Sequence, residues 1–248
     1  MARQGGILKI KGTVGGLTFY KSQDGDLVRE KGGVSGERIA NDPAFARTRE
    51  NGAEFGEAAI AGKNLRDALR NLMLNASDNR VTSRLTAVMS SIKNYDITSS
   101  RGERTVANGM PTGMIELKGF DFNVSAPLGS ILFKPYTIDP INGSISIQNL
   151  NPVNDVDYPV GATHMTISGG VAIVDFSTGD KELSLYNPVN LTISNITGNV
   201  FLGLSGPLPP AIGNKFYLLK VEFSQMVNGQ QYSLKNGAYN ALTIVEIV

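Results

Sequence analysis

Few residues of this chain could carry acid–base or metal chemistry, and their types limit what the protein can do. The 248 residues include no cysteine and a single histidine, His164. Without cysteine there is no thiol nucleophile, disulfide, zinc–thiolate site or iron–sulfur cluster. One histidine cannot build a multi-histidine metal site, and with no acid near it in the sequence we expect His164 to be a strand residue making one hydrogen bond. We therefore predict that the chain is not an enzyme and needs no cofactor.

Three short groups resemble binding motifs, and each has a simpler interpretation. Residues 12–16 contain glycines spaced as in part of a phosphate loop, but no lysine–serine pair and no helix follows. Residues 151–157 contain two asparagines and two aspartates that could bind calcium, but the turn glycine and distal glutamate of a calcium loop are missing. Arg80 and Arg84 lie one helical turn apart and could hold a phosphate or a carboxylate, or simply form a solvated helix face.

Charge is distributed unevenly along the chain. The net charge of +1 argues against indiscriminate nucleic-acid binding by the whole chain. However, residues 1–105 contain every arginine and have a balance of +5, whereas residues 106–248 have a balance of −4. Arginine is suited to bidentate pairing with carboxylate or phosphate, so the asymmetry indicates two regions with different roles. The alternative is that helices accept arginine more readily than short strands do.

Residues 1–40 are predicted to form a basic, glycine-rich β-hairpin arm. Three short strands are predicted, one containing Ile7–Ile10, one at 17–20 and one at 27–28, with a hairpin turn at Asp24-Gly25. Strands of this length cannot bury a core alone, so the arm must pack on the rest of its chain or on another chain. The predicted subunit contacts are Ile7, Leu8, Ile10, Leu17, Phe19 and Tyr20.

The next two segments are predicted to be a helical hairpin, 41–97, and a linker, 98–114. Asp42 and Pro43 are typical of a helix start, and Asn51-Gly52 could interrupt the helix. Two amphipathic stripes separated by a short break at 75–78 favour antiparallel helices. The polar residues at 98–104, followed by Asn108-Gly109 and Pro111, are typical of a linker.

Residues 115–248 are predicted to be β throughout, so the fold class is α+β with a C-terminal β-sandwich. Short strands divided by Asn, Gly and Pro are typical of an immunoglobulin-like or jelly-roll-like sandwich, and the pattern does not choose between the two. The predicted strands are 120–124, 131–135, 144–147, 163–168, 171–176, 182–186, 190–196, 200–204, 216–225, 231–234 and 241–248.

No targeting or membrane-spanning segment is expected. The apolar stretch at 7–10 is interrupted by Lys9, whereas a signal peptide needs an apolar run of roughly 7–15 residues. No run of roughly 18 apolar residues, as a transmembrane helix requires, occurs in the sequence. Cytoplasmic synthesis without a signal peptide is the expectation.

Several phrases of the sequence carry a family resemblance. They are Met1-Ala2-Arg3-Gln4-Gly5-Gly6-Ile7-Leu8-Lys9, Phe19-Tyr20-Lys21, Ile39-Ala40-Asn41-Asp42-Pro43-Ala44-Phe45, Arg47-Thr48-Arg49-Glu50-Asn51, Glu54-Phe55-Gly56 and Asn236-Gly237-Ala238-Tyr239-Asn240-Ala241-Leu242. The chain resembles a group of proteins from Bacteroidota genomes that have no established activity. The resemblance covers most of the chain and is greatest in residues 1–105. It implies no catalytic residue, and it implies a free N-terminus without a signal peptide.

Two main hypotheses for function follow. The first is a structural subunit that assembles with copies of itself into a filament, a shell or a phage-like particle through its N-terminal arm. The alternative is a module that binds nucleic acid through the arginine-bearing N-terminal region, although acidic residues are interspersed there. The candidate anion or partner contacts are Arg3, Lys9, Lys11, Lys21, Arg29, Lys31, Arg38, Arg47 and Arg49. A carbohydrate-binding sandwich or an enzyme is a third possibility, supported only by the loop at 151–157.

Overall fold

The chain divides into two compact units, Met1–Glu50 and Asn51–Val248. This description rests on a computed structural model and covers residues 2–30, 32–210, 212–234 and 237–248. Helices and antiparallel sheets both contribute, so the α+β class is confirmed. The boundary after residue 50 falls within the segment 41–97 that was predicted to be a helical hairpin. It divides helix α2 (Ala46–Ala68), which begins before residue 50 and continues beyond it.

The first unit is built on a small antiparallel sheet with the strand order β1-β4-β3-β2. The strands are β1 (Ala2–Arg3), β2 (Gly12–Val14), β3 (Leu17–Ser22) and β4 (Gly25–Glu30), followed by helix α1 (Gly36–Asn41) and a 3-10 turn (Pro43–Phe45). The second and third predicted strands are present, joined by a turn at residues 23–24. The first predicted strand, through Ile7 and Ile10, is wrong, because these residues form a loop between β1 and β2.

The predicted helix start at Asp42 is observed in its local geometry. The Asp42 carboxylate accepts a hydrogen bond from the Ala44 N–H at 2.9 Å, and Pro43 occupies the first helical position. Proline suits this position because its missing N–H would have no helical partner there. Helix α2 then runs without a break through Asn51 and Gly52, so the interruption considered from the sequence does not occur.

The second unit begins with a layer of helices and continues into two sheets. Its helices are α2 (Ala46–Ala68, entering from the first unit), α3 (Arg70–Met73), α4 (Val81–Ile92), α5 (Val106–Gly113), α6 (Leu128–Ile131) and α7 (Pro152–Asp155), with 3-10 turns at Lys93–Tyr95 and Met114–Leu117. The structure differs from the expected linker over 98–114. Helix α5 lies in that range, with Val106 and Met110 buried in the core.

Two antiparallel sheets make up the rest of the second unit. Their strands are β5 (Thr137–Asp139), β6 (Ser144–Leu150), β7 (His164–Val174), β8 (Lys181–Leu185), β9 (Val189–Thr192), β10 (Gly198–Leu202), β11 (Asn214–Val227), β12 (Gln230–Ser233) and β13 (Ala241–Ile247). One sheet has the order β10-β6-β5. In the other, β11 pairs with β7, β12 and β13, and β7 pairs also with β8 and β9.

Several predicted strand boundaries need correction. The strands predicted at 163–168 and 171–176 form the single strand β7, and Gly169 has a positive φ within it. A Cβ at Gly169 would lie 2.0 Å from the Leu218 carbonyl oxygen, so the close approach of β11 requires glycine there. The strands predicted at 120–124 and 131–135 are wrong, because only isolated β-bridges at Asp121 and Leu132 occur in those ranges.

Two clusters of buried side chains hold the second unit together. On one face of the larger sheet, Phe216, Leu218 and Ile244 share a cluster with helical residues such as Leu65 and Leu85. On its other face, Tyr217 and Leu219 share a second cluster with the smaller sheet. Strand β11 therefore contributes alternate side chains to both clusters, as expected for a strand covered on both faces.

Candidate interaction surface

One face of the N-terminal sheet carries four apolar side chains, and none of them is fully buried. The strand register places Val14, Leu17, Phe19 and Val28 on the same face, since paired residues in antiparallel strands point to the same side. Val14 is 63% exposed, Leu17 is exposed, and the other two are half-buried. No described side chain between residues 2 and 50 is buried. This unit therefore has a sheet without a core, as the sequence analysis expected of the arm.

The opposite face of the same sheet is polar and carries two arginines. The register places Arg3, Tyr20 and Leu27 on this side, with Thr18 and Arg29 beside them. The Arg29 guanidinium lies 5.5 Å from the centre of the Tyr20 ring, within the range of a cation–π contact. Tyr20, which was predicted to share one interface with Leu17 and Phe19, therefore faces away from them.

A loop between β1 and β2 presents the two most exposed large apolar side chains among the described residues of the unit. Ile7 and Leu8 are 102% and 86% exposed. Gln4 closes the loop, because its amide oxygen accepts from the Ile10 N–H at 2.9 Å and its amide nitrogen donates to the Ile10 carbonyl at 3.2 Å. Lys9 also donates to the Gln4 carbonyl, so hydrogen bonds at both ends of the loop fix its conformation. We refer to Ile7 and Leu8 as the loop tip.

The predicted basic contacts do not form one patch. Arg38 pairs with Asp42 at 3.0 Å, and Arg49 donates to the carbonyls of Ile39 and Asp42 at 2.8 and 3.0 Å. The hydrogen bond from Ala44 and the pairing with Arg38 hold the pKa of Asp42 below its usual value. These two arginines therefore stabilise the turn between α1 and α2.

The other predicted basic residues are scattered. Lys21 lies on the apolar face opposite Asp26, whereas Lys11 is an exposed residue just before β2. Arg47 is exposed near the start of α2. Lys31 lies outside the described residues. Among the basic residues of this set that the structure describes, Arg3 and Arg29 share a sheet face.

The lone histidine has an ordinary strand environment. The ring nitrogen Nδ1 of His164 lies 2.9 Å from the Thr163 hydroxyl, and Nε2 lies 3.5 Å from the Thr192 hydroxyl. Among the residues that the structure describes, no three His, Cys, Asp or Glu side chains come together as a metal site would require.

The loop at 151–157 uses its polar side chains to build α7. Asn151 caps the helix by accepting from the N–H groups of Val153 and Asn154, and the Asp155 carboxylate accepts from the Asn151 N–H at 2.8 Å. Asp155 also lies 3.5 Å from Lys134. A nearby cavity of about 260 Å³ between β9 and β10 is lined without a titratable side chain. These contacts give the acidic loop a structural role.

Arg84 does not pair with Arg80 as a phosphate clamp. It forms an ion pair with Asp78 and donates to the Phe122 carbonyl at 3.2 Å. The Asp78 carboxylate also accepts from the N–H groups of Arg80 and Val124. Although desolvation opposes the shift, these hydrogen bonds lower the pKa of Asp78. Arg84 therefore joins α4 to the segment around Phe122.

The second unit contains a buried ion pair that the sequence analysis missed. Lys93 Nζ lies 2.5 Å from a Glu54 carboxylate oxygen, and both side chains are almost fully buried. The other Glu54 oxygen accepts from the Gly102 N–H at 2.8 Å. The hydrogen bonds from Lys93 and Gly102 lower the pKa of Glu54. The helical period places Glu54 near Ala58 and Ala61 on the buried face of α2, which is the only signal that could have found it.

Two further carboxylates hold the chain between α4 and α5. Asp96 accepts from the N–H groups of Thr98, Ser99 and Thr105. Desolvation raises its pKa, but these hydrogen bonds outweigh that effect and place the pKa far below its usual range. Glu57 accepts from the Val106 N–H at 3.1 Å, and desolvation raises its pKa. The carboxylates of Asp96 and Glu57 therefore stabilise the conformation of the chain between α4 and α5.

Comparisons with known proteins add no family to these observations. No protein-family model, curated protein or solved structure gives a significant match to the chain. Among the described residues, no helix is both long enough and apolar enough to cross a membrane.

Proposed function

We propose that the protein is a structural subunit that assembles with copies of itself, and that the N-terminal unit engages the neighbouring subunit. The observation that carries the proposal is a sheet with an apolar face and no buried side chain among the described residues of its unit. Contiguous exposed apolar surface is typical of interaction sites. The apolar face, the loop tip and the open edge of β2 are the three features a neighbour would cover.

Typical free energies of burial and association indicate that all three features contribute to the contact between subunits. Burying one such apolar side chain contributes about 1.5–3 kcal/mol, whereas association costs about 4–15 kcal/mol. The four side chains of the apolar face would do little more than offset that cost. Strand β2 lies at the end of the sheet and has no described strand on its outer side, so its backbone groups can pair with another chain.

The charge distribution supports contacts between unlike surfaces. The chain is positive over 1–105 and negative over 106–248, so the two regions of different copies attract each other. A contact between two different surfaces repeats from copy to copy and produces a ring or an open filament. We propose that the subunits form a filament, a shell or a phage-like particle and that the protein is synthesised in the cytoplasm. An immunoglobulin-like or jelly-roll-like sandwich in the second unit is part of the same proposal.

The proposal is tested by light scattering on paired variants of the N-terminal sheet. Val14→Ser with Leu17→Ser removes apolar surface from one face, and Thr13→Ser with Thr18→Ser alters the same strands on the other face. We expect wild-type protein and the threonine variant to form assemblies of many times 26.5 kDa, and the apolar-face variant to remain monomeric. A monomeric wild type at high concentration, or equal masses for all three, would overturn the proposal.

Nucleic-acid binding is a second candidate, favoured by one observation. Arg3 and Arg29 share a sheet face with Tyr20, which provides cations beside an aromatic ring on which a base could stack. Binding of a labelled single-stranded oligonucleotide should weaken steeply with salt if phosphates are contacted. Arg29→Gln should then reduce the affinity and the salt dependence. No binding at low salt would reject this candidate.

A further inference from the structure

Two arginines of the second unit line a solvent-open cavity and have no partner. The cavity has a volume of about 450 Å³ and lies beside the end of α2, α3 and the start of α4. Arg66 and Arg70 are four residues apart, and both contribute to its wall. No hydrogen bond or ion pair joins either guanidinium to any residue that the structure describes. By contrast, Arg38 and Arg84 each have an acidic partner, and Arg49 donates to two backbone carbonyls.

Packing holds Arg66 partly out of solvent. Its Nη1 atom is buried and has no hydrogen-bond partner. A Cβ built on Gly62 would lie 3.7 Å from Nη1 and the same distance from side-chain atoms of Leu85 and Met89, so these groups converge at that point of α2. A partly desolvated cation without a partner is unfavourable. Leu85 and Met89 do not line the cavity, so an anion in the cavity would pair with the remaining N–H groups of the Arg66 guanidinium and would reduce the cost of its partial desolvation.

The remaining wall is compatible with a small anionic ligand. Thr82 adds a hydroxyl group, and Met73 and Leu74 add apolar surface. Asp67 is the one acidic residue of the wall, and its carboxylate lies 3.9 Å from Lys63 Nζ. The two arginines therefore leave the wall positive. The volume falls within the range of about 300–1,000 Å³ that small-molecule sites occupy.

We propose that this cavity binds a phosphate-type oxyanion, with Arg66 and Arg70 as the anion-binding residues. Two guanidinium groups on one wall provide forked donors that match the oxygens of phosphate. The space beside them admits either inorganic phosphate or the phosphate group of a small organic monoester. The site lies within the second unit and does not depend on the proposed assembly.

Isothermal titration calorimetry on the full chain at low ionic strength tests the site. Inorganic phosphate and phenyl phosphate are the two probes, and benzoate is the carboxylate control. We expect at least one phosphate probe to bind, with tighter binding of phenyl phosphate indicating an organic monoester and equal binding indicating phosphate itself. Absence of binding by both phosphate probes, or benzoate binding as tight as theirs, would overturn the proposal.

Three variants locate the binding to the two arginines. Arg66→Gln and Arg70→Gln should each weaken phosphate binding by about tenfold or more, since each removes a charged donor worth roughly that factor. Arg47→Gln is the matched control, because it removes one positive charge from an exposed position of α2 that does not line the cavity and should leave the affinity within twofold. Arg70 is exposed, so its variant is expected to fold even if the Arg66 variant does not. An equal effect of all three variants, or none, would overturn the assignment.

Discussion

The two compact units differ in whether their apolar side chains are buried. In Asn51–Val248, two buried clusters occupy both faces of the larger sheet. In Met1–Glu50, the described strands pair with one another, yet no described side chain is buried. The sheet of the first unit has backbone pairing and only half-buried or exposed side chains, whereas buried side chains stabilise the second unit. The difference teaches that paired strands can form a regular sheet in which no described side chain is fully buried, and the proposed assembly would cover the apolar face of that sheet.

Loss of the buried ion pair should give the largest effect on stability. Lys93→Met leaves the Glu54 carboxylate buried without its cation, and this should lower the free energy of unfolding by about 3–5 kcal/mol. Chemical denaturation followed by circular dichroism measures the change. Lys63→Met is the control, because the Lys63–Asp67 pair is exposed and should contribute at most about 1 kcal/mol. Equal effects of the two variants would contradict the role assigned to Glu54 and Lys93.

The same leucine-to-alanine change should have different effects on the free energy of unfolding in the two units. Leu85 is fully buried in the helical cluster, so Leu85→Ala should cost about 2–5 kcal/mol of unfolding free energy. Leu17 is exposed on the N-terminal sheet, so Leu17→Ala should change the free energy by no more than about 0.5 kcal/mol in dilute monomer. Thermal and chemical denaturation at low protein concentration compare them. A loss at Leu17 as large as that at Leu85 would show that the first unit has a core of its own.

Acidification should destabilise the second unit through its hydrogen-bonded carboxylates. The pKa of Glu54 is lowered from 4.5 and that of Asp96 from 3.8, so their stabilisation is present above these values and is lost as the pH falls below them. The raised pKa of Glu57 acts in the opposite direction, because its contribution is lost as the pH rises above 4.5. On acidification, the stabilisation lost at Glu54 and Asp96 should exceed the stabilisation gained at Glu57, because two carboxylates have lowered pKa values and one has a raised pKa.

Unfolding measured between pH 3 and pH 7 tests this dependence. Glu54→Gln should flatten the profile below about pH 4.5, where the lowered pKa otherwise matters. Glu37→Gln, in exposed helix α1, serves as the control and should leave the profile unchanged. A profile that stays level from pH 7 to pH 3 in the wild type would contradict the account of these carboxylates.

Local patterns predicted parts of the structure because short-range physics decides them. Asp42 and Pro43 marked a helix start, and the hairpin of β3 and β4 followed from a turn between apolar runs. The segment at 98–114 was different, because Gly109 and Pro111 resemble a linker. In the structure, a Cβ at Gly109 would lie 2.1 Å from the Ile92 carbonyl oxygen, so the glycine permits close packing of α5. A contact that depends on how α5 packs against the end of α4 cannot be derived from a local sequence pattern.

The candidate surface was predictable only in part. Exposed Ile7 and Leu8 were expected to contact a neighbour, but the loop that presents them depends on side-chain hydrogen bonds from Gln4, which no periodicity indicates. The period of two along β3 could have separated Tyr20 from Phe19, because successive strand residues point to opposite faces. The convergence of Arg66 and Gly62 with α4 depends on helix packing and could not be derived from spacing alone.

Hydrogen–deuterium exchange of the wild-type protein at low and high concentration tests the central claim most directly. If the N-terminal sheet is covered by a neighbouring copy, amides of residues 5–30 should exchange at least tenfold more slowly at high concentration, with the largest change at the edge strand β2. The buried strands β7 and β11 should exchange slowly at both concentrations, since their own unit protects them. Exchange of residues 5–30 that is equally fast at both concentrations would contradict assembly through the N-terminal unit.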